Sequence, residues 1–264
     1  MGAASQRRKP AYAITSVDNT LRLIQMLRDI GEVRGKDAAE VLNISPSSAH
    51  RLMSMLVYRG FAVQNDSRAY LPGPAVGVAP AVGQGAKELQ EVVRPHLARL
   101  QSLTGESAYF MVLTGRVIRF LLTAESSYPT HAGDRHGFVI PAHSSAGGRA
   151  ILSSIPPSEM EDIYAAPDEQ EGVSLSSVEL ERLQIILRAV RSRGYAISVE
   201  EVERGIVSVA APIRNSSLQP RAAISISGPL MRRRTLTDSA SIDSLLEARE
   251  AIERQLLEID ALAD

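Results

Sequence analysis

The 264-residue sequence predicts two domains: an α-rich N-terminal unit closed by a β-hairpin, and a larger α+β unit with an antiparallel sheet and packed helices. Three observations carry this. Up to Gly73, apolar residues recur at three- and four-residue spacing and then give way to two short strand-like pieces. The stretch GPAVGVAPAVGQG, Gly73 to Gly85, interrupts that pattern with Gly, Ala and Pro. Beyond it strands and helices mix, ending in three successive strands, YAISVEE, IVSVAAPIR and RAAISISGP.

The first helix begins near Ser16, with Ser16 or Asp18 as N-cap and Val17, Leu21, Ile24 and Leu27 as its inward stripe. Gly31 and the charged turn GEVRGKD end it. A short second helix, KDAAEVLN, turns Ala38, Val41 and Leu42 inward, and Asn43 can close it in the left-handed conformation. In the third, NISPSSAHRLMSMLVYRGF, Ser45 is the N-cap and Pro46 suits the first helical position, where its missing N–H costs nothing. Ala49, Leu52, Met53, Leu56 and Val57 form the stripe and Gly60 the stop. Phe61–Val63 and Ala69–Leu71 flank the turn-rich QNDS as a hairpin. Three helices and a hairpin in about 60 residues are the layout of a winged helix-turn-helix. A longer helix runs from Ala86 to Leu103, with Pro95 expected to bend or divide it. SAYFMVL and VIRFLLTA then flank TGR as a hairpin. FVIPAHSSAGGRAILSSI passes from a strand through a Gly/Ser loop into a helix, PPSEMEDIYA starts another, and SSVELERLQIILRAVRSRG is an amphipathic helix stopped by Gly194. The last helix spans about Asp238 to Ala263.

Composition narrows the function classes. There is no Cys, which excludes disulfides, thiolate metal sites and Cys nucleophiles. No apolar run is long enough to span a bilayer, and the basic start MGAASQRRKP lacks the apolar segment of a secretory signal, so a cytoplasmic protein with no membrane association is expected. The net charge of -1 divides into +4 over residues 1–80 and -5 over the rest, as fits two units with different partners.

In a helix-turn-helix the N-terminal part of the second motif helix enters the major groove. Ser47, Ser48, His50 and Arg51 occupy that part: hydroxyls can bond phosphates or base edges, and Arg can grip guanine with two bonds. The plainer alternative is that the hydroxyls only cap the helix and Arg51 is a solvated charge. Arg68 in the wing, with Arg34 and Lys36 before the second helix, are candidate phosphate contacts. His131, Asp134, His136 and His143 raise a metal possibility, but their spacing matches no standard site, and no metal or other cofactor is expected. Glu200, Glu201 and Glu203 read as a solvated turn, with Glu201 bonding backbone groups. An enzyme acting through the C-terminal domain on small molecules is the alternative function. His143 and Ser145 have no orienting carboxylate, however, and no nucleophile elbow, P-loop or dinucleotide fingerprint is present.

The N-terminal run ISPSSAHRLMSMLVYRGFAVQNDSRAYLPGP resembles the recognition helix and wing of the IclR family of bacterial transcription regulators. Ser47-Ser48-Ala49-His50-Arg51-Leu52-Met53 stands where that family has ST-V-H-R-L-L, and Gly60-Phe61 with Tyr70-Leu71-Pro72-Gly73 follows its wing. GFVIPAHSSAGGRAIL, GYAISVEEVERGIVSVAAPIRN and ISISGP are similar to segments of its effector domain. Arg149 replaces the usual Lys, and Arg214 departs from the usual aromatic or His. The likeness spans roughly residues 14–260. Residues 1–12 read as a disordered tail, and the resemblance implies a winged helix-turn-helix domain over 13–73, a helical linker over 74–88 and a GAF-like effector-binding domain over 89–264. It also implies a DNA-binding, non-enzymatic regulator, such as a repressor of a metabolic or catabolic operon, that answers to a small polar metabolite such as an organic or aromatic acid. The chain is expected to pair as a homodimer on double-stranded DNA, with tetramers a further implication of the resemblance. The family's pocket positions fall on Ala146, Gly147, Ser198, Ser208, Ser225 and Ser227. Ser198 stands where Asp is usual and Ser208 where Cys is frequent. The loop Ser144-Ser145-Ala146-Gly147-Gly148 precedes a helix, and exposed N–H groups at that helix start would suit a carboxylate.

Overall fold

The computed structural model describes residues 12–65, 67–73, 75–76, 84–165, 175–214 and 221–263. They form two compact units that divide after Val76.

The N-terminal unit contains α1 (Thr15–Ile30), β1 (Val33–Arg34), α2 (Gly35–Leu42), α3 (Pro46–Tyr58), β2 (Ala62–Gln64) and β3 (Ala69–Pro72). Local signals set its joints. Asn43 takes φ 53° after α2, and the Ser45 hydroxyl accepts the Ser48 N–H with Pro46 at the head of α3. Between the strands, the Asn65 side chain accepts the Ala69 N–H, which closes the wing turn. The wing has one strand more than the expected hairpin. Val33 and Arg34 pair with Tyr70 and Ala69, so the sheet order is β1-β3-β2. Two-residue strands carry no alternation to read, which hides β1 in the sequence.

Several expectations about helix faces need correction. The α1 helix starts at Thr15, so Ser16 and Asp18 lie inside it; Ile14 holds the N-cap position without a capping side chain. Leu23 and Leu27 are fully buried in the core, whereas Val17 and Leu21 are more than half exposed. Apolar residues occur around much of α1, and only the 23/27 face meets α3 and the wing. Val41 and Val57 likewise point outward, while Ala39 joins the core of Ala38, Leu42, Ala49, Met53 and Leu56.

The C-terminal unit begins with α4 (Gln84–Thr104), a single helix that Pro95 does not divide. It continues with β4 (Ser107–Thr114), β5 (Val117–Ala124), β6 (Val139–Pro141), α5 (Ala146–Ser154), α6 (Pro157–Ala165), α7 (Ser177–Arg193), β7 (Ala196–Val199), β8 (Ile206–Ile213) and β9 (Ala222–Pro229). A 3-10 turn, the short α8 (Arg233–Leu236) and the long α9 (Ser239–Ala263) complete it. Asp238 accepts the Ser241 N–H at the head of α9. The strands make one antiparallel sheet in the order β6-β5-β4-β9-β8-β7. Helices cover both of its faces. One core joins α4 and α9 to Phe110, Leu122, Val209 and Ile224; the other joins α5, α6 and α7 to Tyr109, Met111, Phe120 and Ala210. Burial on both faces explains the apolar run Val209–Ile213 at the end of β8, whereas β9 alternates Ile224 and Ile226 with Ser225 and Ser227.

A β-bulge between Phe110 and Met111 in the β4–β5 pairing has a consequence for the α5 face. Phe110 pairs with Leu122, but Met111 pairs with Phe120, which leaves Leu121 as the extra residue. Residues two apart on a strand normally share a face. Here Leu122 joins the α4/α9 core, while Phe120 and Ile118 turn to the α5 side.

Candidate functional sites: an exposed helix face and a serine-floored cleft

In the N-terminal unit, Ala49, Met53 and Leu56 bind α3 to the core and leave its other face free. Ser47, Ser48, His50 and Arg51 are all exposed on the first two turns of α3. Ser45 bonds the hydroxyls of both Ser47, at 3.0 Å, and Ser48, at 2.9 Å, so these serines join the cap of α3 while remaining exposed. Arg34 lies on β1 opposite Ala69, the residue after Arg68, which brings the two cations to neighbouring positions of the wing sheet. Arg68 itself has φ 61° at the wing turn and is exposed. Lys36 is exposed too, but it sits in the first turn of α2 rather than before the helix.

In the C-terminal unit, Ala146, Gly147, Ser198, Ser208, Ser225 and Ser227 all line one narrow, open cleft. Strand register explains why four serines distant in sequence meet. Ser198 pairs with Ser208 across β7 and β8, Ser208 with Ser227 across β8 and β9, and Ser227 with Ser107 across β9 and β4. Paired residues share a face, so a row of hydroxyls crosses four strands. The Ser208 and Ser227 hydroxyls are 2.8 Å apart, and the Ser198 hydroxyl donates to the Ser144 carbonyl. Ser225 lies two residues along the same face, paired with Tyr109 and Ala210.

Above this floor stands the N-terminus of α5. Its N-cap Ser145 accepts the Gly148 N–H at 3.0 Å and donates to the Ala142 carbonyl, so its hydroxyl is engaged in the fold. The N–H groups of Ala146 and Gly147 belong to the first turn, which has no intrahelical acceptors, and both residues line the cleft. A Cβ at Gly147 would push against the Met111 sulfur, which that flexible side chain can move, whereas a Cβ at Gly148 would collide with the Ala142 backbone, so Gly148 is the position that requires Gly.

The other half of the cleft was not anticipated. Met111, Ile118, Phe120 and Ile140, from β4, β5 and β6, form an apolar wall beside the serine-bearing strands. Arg135, Val202, Glu203 and Ile206 also line it, and Arg135 pairs with Glu203. A cation in the segment HAGDRHG, among residues with no periodicity, was the available signal for Arg135.

The three glutamates of the β7–β8 loop are engaged rather than merely solvated. Glu200, at φ 56°, accepts the Gly205 N–H; Glu201 takes both ends of the Arg149 guanidinium; Glu203 pairs with Arg135. Glu201 thus bonds a side chain, not the backbone. Its partner Arg149 also donates to the His143 carbonyl at 2.7 Å, a planar fork that the more usual Lys could not reproduce.

The histidines have separate surroundings. His131 faces the Tyr128 carbonyl and Glu125, and His136 faces the Leu121 carbonyl. Asp134 accepts the His136 N–H. Nδ1 of His143 is buried without a hydrogen-bond partner. Among the described residues, no group of three or more His, Asp or Glu is placed to hold a metal. Burial, and then the Arg149 charge, push the His143 pKa below its ordinary 6.5. The unfolded chain therefore binds the proton more readily than the folded one, and stability must fall as pH drops below about 6.5 toward the folded value. Thermal melts from pH 8 to pH 5 should show this decline, and His143→Gln should flatten it; an equal decline in the variant would assign it to other groups.

The arrangement points to a class of protein: one unit with a helix-turn-helix whose α3 keeps an exposed face, and a second unit that carries a serine-floored cleft. Comparison with known proteins then makes it specific. The family model for the IclR helix-turn-helix domain matches residues 16–66, and that for the bacterial transcriptional regulator IclR C-terminal domain matches residues 85–254. The chain belongs to the IclR family of DNA-binding transcription regulators, which are not enzymes. It is 29% identical to the HTH-type transcriptional regulator BhcR of Paracoccus denitrificans over 89% of this chain and 85% of that one. It is 26% identical to the transcriptional repressor IclR of Escherichia coli over 87% and 88%. Among solved structures, the Thermotoga maritima IclR superposes with a TM-score of 0.55 at 25% identity, covering 92% of this chain and 99% of that one. An IclR homologue from Microbacterium hydrocarbonoxydans, complexed with 4-hydroxybenzoate, superposes at 0.56 and 22% identity with the same coverage. No helix among the described residues is long and apolar enough to cross a membrane.

Proposed function

We propose that this regulator binds its operator as a homodimer and responds to a small organic acid held in the C-terminal cleft. The observation that carries the effector half is the composition of the cleft. Serine hydroxyls from β7, β8 and β9 and first-turn N–H groups of α5, which have no intrahelical acceptors, lie beside an apolar wall from β4, β5 and β6. Hydroxyl and N–H donors suit carboxylate oxygens, and the apolar wall suits a short hydrocarbon or aromatic body. The 4-hydroxybenzoate complex of the Microbacterium homologue agrees with this class. Dimerisation follows from the reading face: one helix reaches few base pairs, and two half-sites on one face of the duplex supply the missing specificity. In this reading Ser47, Ser48, His50 and Arg51 meet base edges or phosphates, and Arg34, Lys36 and Arg68 meet phosphates. The DNA-binding domain ends near residue 73, and the effector domain begins near residue 89.

The effector regulates only if it binds one arrangement of the oligomer better than another. Thermal-shift screening of the full chain against small aliphatic and aromatic acids should find a stabiliser. Ser208→Leu replaces a hydroxyl of the floor with a bulkier apolar group and should abolish that shift. A shift that survives it unchanged would move the binding site elsewhere.

A further inference from the structure

We propose that Arg135 is the anion-recognition residue of the cleft and that Glu203 is its resident carboxylate, the group that a carboxylate ligand displaces. The proposal rests on the reading of the cleft as the effector site and adds the ligand's charge class and the residue that selects it.

The two partners are unequal. The Arg135 side chain is only 14% exposed, and its guanidinium lies 6.0 Å from the centre of the Phe120 ring. The Glu203 side chain is 54% exposed and sits on the β7–β8 loop. Releasing Glu203 to water costs it little desolvation. Leaving Arg135 without a carboxylate would strand a largely buried cation. The pair is therefore stable until another carboxylate arrives, and a neutral ligand has nothing to offer Arg135 in exchange. Both residues line the cleft, so the exchange takes place inside it.

The loop is built to let go at one side only. Glu201 remains held by the buried fork of Arg149, and Glu200 stays bonded to the Gly205 N–H. Glu200 and Gly205 both have positive φ, at 56° and 82°, so the loop turns at each end through left-handed residues. Val202, between the two pairing glutamates, also lines the cleft. Displacing Glu203 thus frees the middle of the loop, Val202 included, while its base stays attached to α5 through Arg149. The ligand class is a monocarboxylate with a short apolar body: carboxylate to Arg135, body against Met111, Ile118, Phe120 and Ile140.

The test uses full-length protein with benzoate, phenylacetate and 4-hydroxybenzoate, each beside its neutral primary amide, by titration calorimetry and thermal shift. At least one acid should bind and its amide should not. Arg135→Gln should lose that binding. Glu203→Gln should tighten it, by about tenfold if the internal pair is formed nine-tenths of the time. Gln keeps an amide oxygen to accept from Arg135, so that variant should still fold, but with a lower melting temperature than wild type and a larger upward shift when an acid binds. Equal binding of acid and amide, unchanged affinity in Glu203→Gln, or no acid bound even by Glu203→Gln would each overturn the proposal. Ser208→Leu separates this from the wider reading. Ligands that bind regardless of Ser208→Leu refute the cleft as the effector site. Ligands that need Ser208 but ignore Arg135→Gln refute the role of Arg135 alone.

Discussion

Arg51→Ala should weaken binding to the operator by about 1–3 kcal/mol for each half-site, a loss of roughly tenfold or more, and should relax discrimination at one base position. The expectation rests on the placement of Arg51 on the second turn of α3, exposed beside Ser47, Ser48 and His50, with the packed stripe of the helix on its other side. A fluorescence-polarisation titration on operator and on scrambled duplex checks it. Arg68→Ala, at the wing turn, should instead weaken both duplexes alike and reduce the salt slope by about one per contact. If Arg51→Ala weakens both duplexes equally, Arg51 grips phosphate and base reading falls to its neighbours. If neither duplex is affected, α3 does not enter the groove in this way.

The second large effect is on stability. Arg232→Ala should destabilise the C-terminal unit by about 3–5 kcal/mol, because it leaves the carboxylate of Glu106 buried without its partner. Glu106 is 2% exposed and takes two bonds from the Arg232 guanidinium, which also donates to the Thr130 carbonyl and lies 4.7 Å from the centre of the Tyr128 ring. The pair raises the Arg232 pKa, chiefly through the hydrogen bond to Glu106. Urea unfolding followed by circular dichroism measures the loss. The double variant Glu106→Leu with Arg232→Met should recover much of it, since replacing both members of a buried pair by apolar groups is often close to neutral. If the single variant costs less than about 1 kcal/mol, the pair behaves as a surface one.

Much of the N-terminal unit was legible because its signals are local. Asn43 ends one helix and Ser45-Pro46 starts the next within three residues, and each of those roles depends on only a few neighbouring backbone groups. The faces of α1 and α2 were less legible. Val17, Leu21 and Val41 fit an apolar stripe as well as the residues that are in fact buried, and only the position of α3 decides between them. In the C-terminal unit, family likeness pointed to Ala146, Gly147 and the four serines. Nothing in their spacing could say that Ser198, Ser208 and Ser227 stand side by side, because that depends on the register of β7, β8 and β9. Arg135 was passed over for the histidines around it: its partner lies 68 residues away and pairs with it only after the sheet has formed.

Taken alone, the sequence determined most of the element order, the Asn43 and Ser45-Pro46 signals that separate α2 from α3, and the membership of a regulator family. All of these depend on short-range backbone chemistry or on motif likeness. Only the tertiary structure decided which apolar arc of each helix is buried, how the bulge at Phe110/Met111 turns Phe120 toward the cleft, and which carboxylate meets Arg135. Burial and charge pairing are properties of surfaces brought together from distant parts of the chain, and strand register, which no local pattern encodes, selects which surfaces meet.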